Sequence, residues 1–146
     1  MRRLVVLLVV LSFSLAFAAL RAQQQQMSDI NPKAELLRSI EHGKALFSDP
    51  KLGTTGKSCN DCHVEGGTKD GQMGKMTIKA FDNLACKYPK YFMMSNRVVT
   101  LDQMVNWCII TPLKGTALAW DDQGLADLVA YTASIKAPPK APEKGK

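Results

Sequence analysis

Histidine is scarce: the chain has two in 146 residues, His42 and His63. A metal centre built mainly from imidazoles is therefore excluded. Cysteine is nearly as rare, at four. Beyond Cys59 and Cys62, only His42, Cys86 and Cys108 remain as soft donors, at spacings that make no second half of a zinc site. Runs of β-branched residues in two-residue alternation are missing. No strand is expected, and the βαβ setting of a redox-active dithiol is absent. There is no internal repeat. Lys and Arg are not interleaved with aromatics, which make up 7% of the chain, so nothing reads as a nucleic-acid surface. Between His63 and Pro89 there is no proline.

One long apolar run does occur, at the start, where LVVLLVVLSFSLAFAAL follows Arg2 and Arg3. Basic, apolar and small-residue regions in that order make residues 1–22 a signal peptide, with cleavage after Ala18 or Ala22. The run is short for a membrane span, and AQQQQ follows it with no stop-transfer cluster; an uncleaved anchor is the alternative. The expected compartment is the periplasm, with no membrane span after cleavage. Losing Arg2, Arg3 and Arg21 lowers the formal net charge of +6 by three. The remaining lysines are spread out and read as a solvated face.

The chemistry concentrates in CNDCH, residues 59–63. Four cysteines in an exported chain form two disulfides, or one disulfide beside two cysteines bound to a cofactor. Haem attachment needs only C-x-x-C with histidine directly after it. The thiols add across the porphyrin vinyl groups, and the short turn places the imidazole under the iron. Cys59 and Cys62 are thus the covalent attachments of one haem c, and His63 is the proximal iron ligand.

The rest of the chain is helical in outline. Asn31-Pro32 is an N-cap and first-turn pair opening a helix through KAELLRSIEHGKALF, with Leu36, Ile40, Gly43 and Phe47 on one face. Asp49-Pro50 stops it. Residues 51–58 and 64–79 are Gly- and Lys-rich and read as loops. TLDQ, at Thr100 to Gln103, fits a capping box, and the helix it opens ends at Thr111-Pro112. A last helix begins near Asp121 or Asp122 and presents Leu125, Leu128, Val129, Thr132 and Ile135. Residues 23–30 read as a flexible segment, 31–136 as the domain, and 137–146 as a disordered tail.

Helix, C-x-x-C-H, loop, helix, helix: in this order the chain resembles a class I c-type cytochrome. The resemblance implies a mainly α fold packed around one covalently bound haem. GKALF looks like the family's first-helix pattern, through Gly43 and Phe47, and LVAYT like its last-helix pattern, through Leu128 and Tyr131. In the family these helices cross at the small residue, so all four are core residues. The stretch from YPKYF to TALAW is similar to the cytochrome domains of thiosulfate dehydrogenases and of the haem subunit of the bacterial sulfur-oxidising system. Some haems there carry a distal cysteine, which maps onto Cys108. The sequence departs from the class I pattern where a ligand methionine is common, a place held here by Leu113. The family's proline after the motif is also absent, so the sequence does not identify the acceptor for the His63 ring N–H.

The distal ligand is accordingly open. His42 lies on the first helix and reads as a surface residue. Met73 and Met76, or Met93 and Met94, reach the iron only if their loops fold back. On the helix from Leu101 to Ile110, Leu101, Met104 and Cys108 share a side. Met104 is slightly preferred, because Cys108 has a rival fate in a disulfide with Cys86. Phe81, Tyr88, Tyr91, Phe92, Trp107 and Trp120 are candidates to line the pocket. The expected function is a monomeric electron carrier between larger redox proteins, and not an enzyme. The alternative is a thiosulfate-type sulfur-oxidising haem enzyme or its haem subunit. A gas sensor is disfavoured by the lack of an output domain.

Overall fold

A computed structural model describes residues 31–136 and the isolated positions 17 and 21. Apart from those two positions, the expected signal peptide (1–22) lies outside the described residues, as do the flexible segment (23–30) and the tail (137–146). No described helix is long and apolar enough to cross a membrane. The chain divides between Glu35 and Leu36 into two units. In the first, the Asn31 side chain accepts from the Lys33 and Ala34 N–H groups at 3.1 and 3.2 Å, the expected cap of α1 (Pro32–Phe47). All that follows concerns the unit beginning at Leu36.

After α1, Asp49 caps a 3-10 turn, Pro50–Leu52, through the Lys51 N–H at 2.8 Å. The motif forms another such turn, Cys59–Asp61. Two antiparallel ribbons follow: β1 (Gly71–Met73) with β2 (Met76–Ile78), and β3 (Lys90–Phe92) with β4 (Arg97–Val99). These correct the expectation of no strands and of a loop over 64–79. Three-residue strands are too short to show alternation, and each is closed by a local turn. Gly74 sits at φ 60° and Asn96 at φ 50°, the left-handed conformations that tight hairpins need.

Helix α2 (Leu101–Ile110) opens at the expected box, with Gln103 Oε1 accepting from the Thr100 N–H at 3.2 Å. Helix α3 (Gln123–Ser134) is capped by the Asp122 side chain, which accepts from the Gly124 N–H at 2.7 Å. Helices α1 and α3 cross at Gly43, where a Cβ would lie 2.0 Å from the Asp127 carbonyl oxygen. Beside that crossing the Phe47 and Tyr131 rings meet edge to face, with centroids 5.3 Å apart. Phe47, Ile109, Leu128, Tyr131 and Ile135 form the buried core cluster. Leu36, expected on the same stripe, is exposed; the buried part of α1 is its second half.

Candidate functional site

The motif closes on itself within one turn. The N–H groups of Cys62 and His63 both reach the Cys59 carbonyl, at 3.2 and 3.0 Å. The Asp61 carboxylate accepts from the N–H and the hydroxyl of Ser58, at 2.8 and 2.7 Å, fixing the start of the turn. Its exit is fixed by Asn60, whose side-chain oxygen accepts from the Gly66 N–H at 2.7 Å. Tyr131 of α3 donates its hydroxyl to the Gly66 carbonyl at 3.0 Å, tying the loop after the motif to the last helix.

His63 projects from this turn into an aromatic wall. Its ring centroid lies 4.4 Å from Phe81 and 6.1 Å from Phe47. Burial pushes its pKa down to about 4, so the imidazole is neutral at pH 7 and keeps a lone pair for a metal. Its Nδ1 is buried and finds no hydrogen-bond partner among the described residues. Cys59 is half-buried, and burial, reinforced by neighbouring Cys62, pushes its thiol up to about 11. Two thiols one turn apart beside a neutral, otherwise unsatisfied imidazole fit covalent haem c.

Cys108, on α2, faces the same interior. Burial pushes its thiol up to about 12, with Cys59 and Cys62 adding to the rise and Lys90 opposing it. Tyr88 is raised to about 12 by burial and by Cys108. Cys59, Cys62, His63, Cys108 and Tyr88 therefore gather in one region. Met104 is half-buried one turn earlier on α2. Cys86 is exposed, and no disulfide joins it to Cys108. Leu113 is buried, and its carbonyl accepts from the Thr54 N–H at 2.9 Å.

Of the expected lining residues, Phe81 packs on His63, and Phe92 meets Trp107 at 4.9 Å. Tyr91 and Trp120 are exposed: Tyr91 lies on the outer side of β3, and Trp120 precedes the Asp121-Asp122 cap. Two buried polar residues escaped the sequence reading. Asn106 bonds both backbone groups of Leu118, at 3.0 and 2.9 Å, and so holds the loop before α3 against α2. Asp127 accepts from Ser39, His42 and Gln123 at 2.6, 2.6 and 2.8 Å. An aspartate inside the apolar run GLADLVAY was the available signal.

Residues 42–136 match the family described as SoxA/TsdA, cytochrome c domain. The thiosulfate dehydrogenase of Allochromatium vinosum is 32% identical over 106 residues, covering 68% of this chain and 38% of that protein. The L-cysteine S-thiosulfotransferase subunit SoxA of Rhodovulum sulfidophilum is 35% identical over 98 residues, covering 66% of this chain and 29% of that protein. The chain thus spans well under half the length of either relative. The expectation of a carrier that is not an enzyme is corrected by these matches. Both relatives are named for catalysis on sulfur compounds, and the family match contains the haem-binding turn together with the helix bearing Cys108. The chain belongs to the SoxA/TsdA cytochrome c domain family, a mainly α-helical fold carrying covalently bound haem c.

Proposed function

We propose that this chain is the haem-bearing part of a periplasmic protein that oxidises thiosulfate or a related sulfur anion and passes electrons singly to redox partners. The observation that carries the reading is Cys108, an inward-facing thiol on α2 within electrostatic reach of Cys59 and Cys62. In this reading Cys59 and Cys62 would each form a thioether to the haem, His63 would bind the iron through a ring nitrogen and Cys108 through its sulfur, with Met104 as the rival donor. When bound, haem supplies a one-electron couple. Lys90 sets a cation beside Cys108, and an anionic sulfur substrate is drawn to positive charge. Joining two thiosulfates through a new S–S bond releases two electrons. With one C-x-x-C-H motif here, a second acceptor or two successive encounters complete the reaction.

Haem-loaded protein mixed with thiosulfate and an electron acceptor tests this. Saturable turnover on the order of 1–1000 per second is expected, lost in Cys108→Ser and kept in Met104→Ala. Reduction that is slow and linear in thiosulfate overturns the reading. Export is tested separately, by N-terminal sequencing of the periplasmic form, which should begin after Ala18 or Ala22.

A further inference from the structure

We propose that Phe81 is the positioning residue of the proximal imidazole, an aromatic ring that fixes the plane of His63 where a hydrogen bond ordinarily would. A histidine that binds metal is usually oriented by an acceptor on its other ring nitrogen. The buried Nδ1 of His63 has no such acceptor among the described residues. Rotation about the bond to the ring is a broad torsion in histidine, so packing has to limit it. Two rings do so. Phe81 lies at a centroid separation of 4.4 Å and an interplanar angle of 42°, and Phe47 at 6.1 Å and 48°. Those two phenyl rings meet each other edge to face at 6.0 Å, closing the set.

Phe81 is itself pinned from several directions. The Gly67 N–H reaches the His63 carbonyl at 2.8 Å, and the Phe81 N–H reaches the Gly67 carbonyl at 2.7 Å. Two backbone bonds therefore join the histidine to the ring that flanks it. Just before Phe81, the Asp70 carboxylate accepts from the Ala80 N–H at 2.8 Å and from the Lys79 ammonium at 2.6 Å. Gly67 lies against the phenyl face: a Cβ there would stand 2.4 and 2.7 Å from Phe81 Cδ2 and Cε2. Filling the half-buried margin of the core would need only apolar volume, which leucine or methionine supplies. A flat side chain seated between a glycine and an imidazole does more, because it transmits the position of the loop after the motif to the histidine ring. The imidazole plane sets how its π orbitals meet those of a bound metal. A hydrogen bond at the second nitrogen would raise its basicity, and the aromatic wall withholds one. The inference rests on His63 as the proximal ligand; it is independent of the distal donor and of the sulfur chemistry.

The test reads haem-loaded protein by ferric electron paramagnetic resonance, whose g values depend on the axial imidazole plane. Phe81→Leu keeps apolar volume and removes the flat face. Gly67→Ala leaves Phe81 in place and pushes its ring, so no cavity is made. Both should displace the g values from those of the wild type. Both should also lower the ratio of reduced to oxidised haem at a fixed potential by at least ~3-fold, as expected once water reaches Nδ1 and the imidazole becomes more basic. Ile135→Ala, a truncation elsewhere in the core cluster, should lower the melting temperature and leave the g values unmoved. Should Phe81→Leu take up no haem, Phe81→Met and Gly67→Ala carry the test. Wild-type g values in either kind of variant, or the same displacement in Ile135→Ala, overturn the proposal. Acid–acetone extraction separates the two levels of failure. Haem that leaves the wild-type polypeptide overturns the ligand assignment and the inference with it, whereas retained haem with unmoved g values overturns the role of Phe81 alone.

Discussion

His63 holds a buried imidazole whose Nδ1 has no protein partner among the described residues, a situation that costs about 1–3 kcal/mol when nothing compensates it. In the proposed reading, iron binding by the other ring nitrogen is what keeps the imidazole buried despite that cost. Both distal sulfur candidates, Met104 and Cys108, are half-buried on one helix, and the proposed reading assigns Cys108. Cys108→Ser should therefore shift the ferric absorption spectrum, and Met104→Ala should leave it unchanged; the opposite pair of results assigns the methionine. Asp127 makes a second residue-scale prediction. It is 2% exposed. Burial alone would raise its pKa, yet hydrogen bonds from Ser39, Gln123 and His42 hold it below the usual carboxylate range. The unfolded chain then binds this proton more tightly than the folded one. The carboxylate's contribution is full above about pH 4 and is lost as pH falls through the lower folded value. Asp127→Asn should cost about 1–3 kcal/mol at pH 7 by breaking the network. It should also make stability fall less steeply below pH 4, as read by thermal melts at pH 7 and pH 3.

At the scale of elements, the α1–α3 crossing depends on one missing atom. A Cβ on Gly43 would stand 2.0 and 2.5 Å from the carbonyl oxygen and carbon of Asp127, and 2.9 Å from the Tyr131 Cβ. Backbone atoms in a helix cannot step aside, so the helices must separate. Gly43→Ala gains about 1 kcal/mol in helix propensity, but overpacking at a close crossing costs about 1–3 kcal/mol or more. We expect net destabilisation, seen as a lower urea midpoint. A midpoint that is unchanged or higher would mean that the helices can part freely. The crossing also reaches the site, since Tyr131 carries the hydroxyl that holds Gly66 behind the motif.

For the whole molecule, the buried core cluster is small and borders the haem-binding turn: its member Phe47 packs on His63, and Phe81, packed against the cluster, closes against both. A prosthetic group bound only by the folded state adds its binding free energy to stability. Cys59→Ala/Cys62→Ala, made without haem, should melt roughly 10 °C or more below the haem-loaded protein, each kcal/mol being worth about 4–8 °C in a domain of this size. Far-UV circular dichroism checks this, and coincident melts would mean that the protein core alone carries the fold.

What the sequence determined by itself is local. The C-x-x-C-H turn and the caps at Asn31, Thr100 and Asp122 were legible, each from spacing within a turn or two. The pairing of Gly43 and Phe47 with Leu128 and Tyr131 was legible only through the resemblance to class I cytochromes. The haem and the family followed from the motif and the order of those segments. Tertiary structure alone decided that Tyr91 and Trp120 are exposed and that Asp127 is sheltered by side chains 88 and 85 residues away. It also decided that three-residue strands form where residues 64–79 read as loop. None of these is set by neighbours in sequence. A short strand exists only because a partner strand is brought beside it, and a buried carboxylate stays charged only because distant donors converge on it. Those outcomes belong to packing, which brings together residues that no local pattern links.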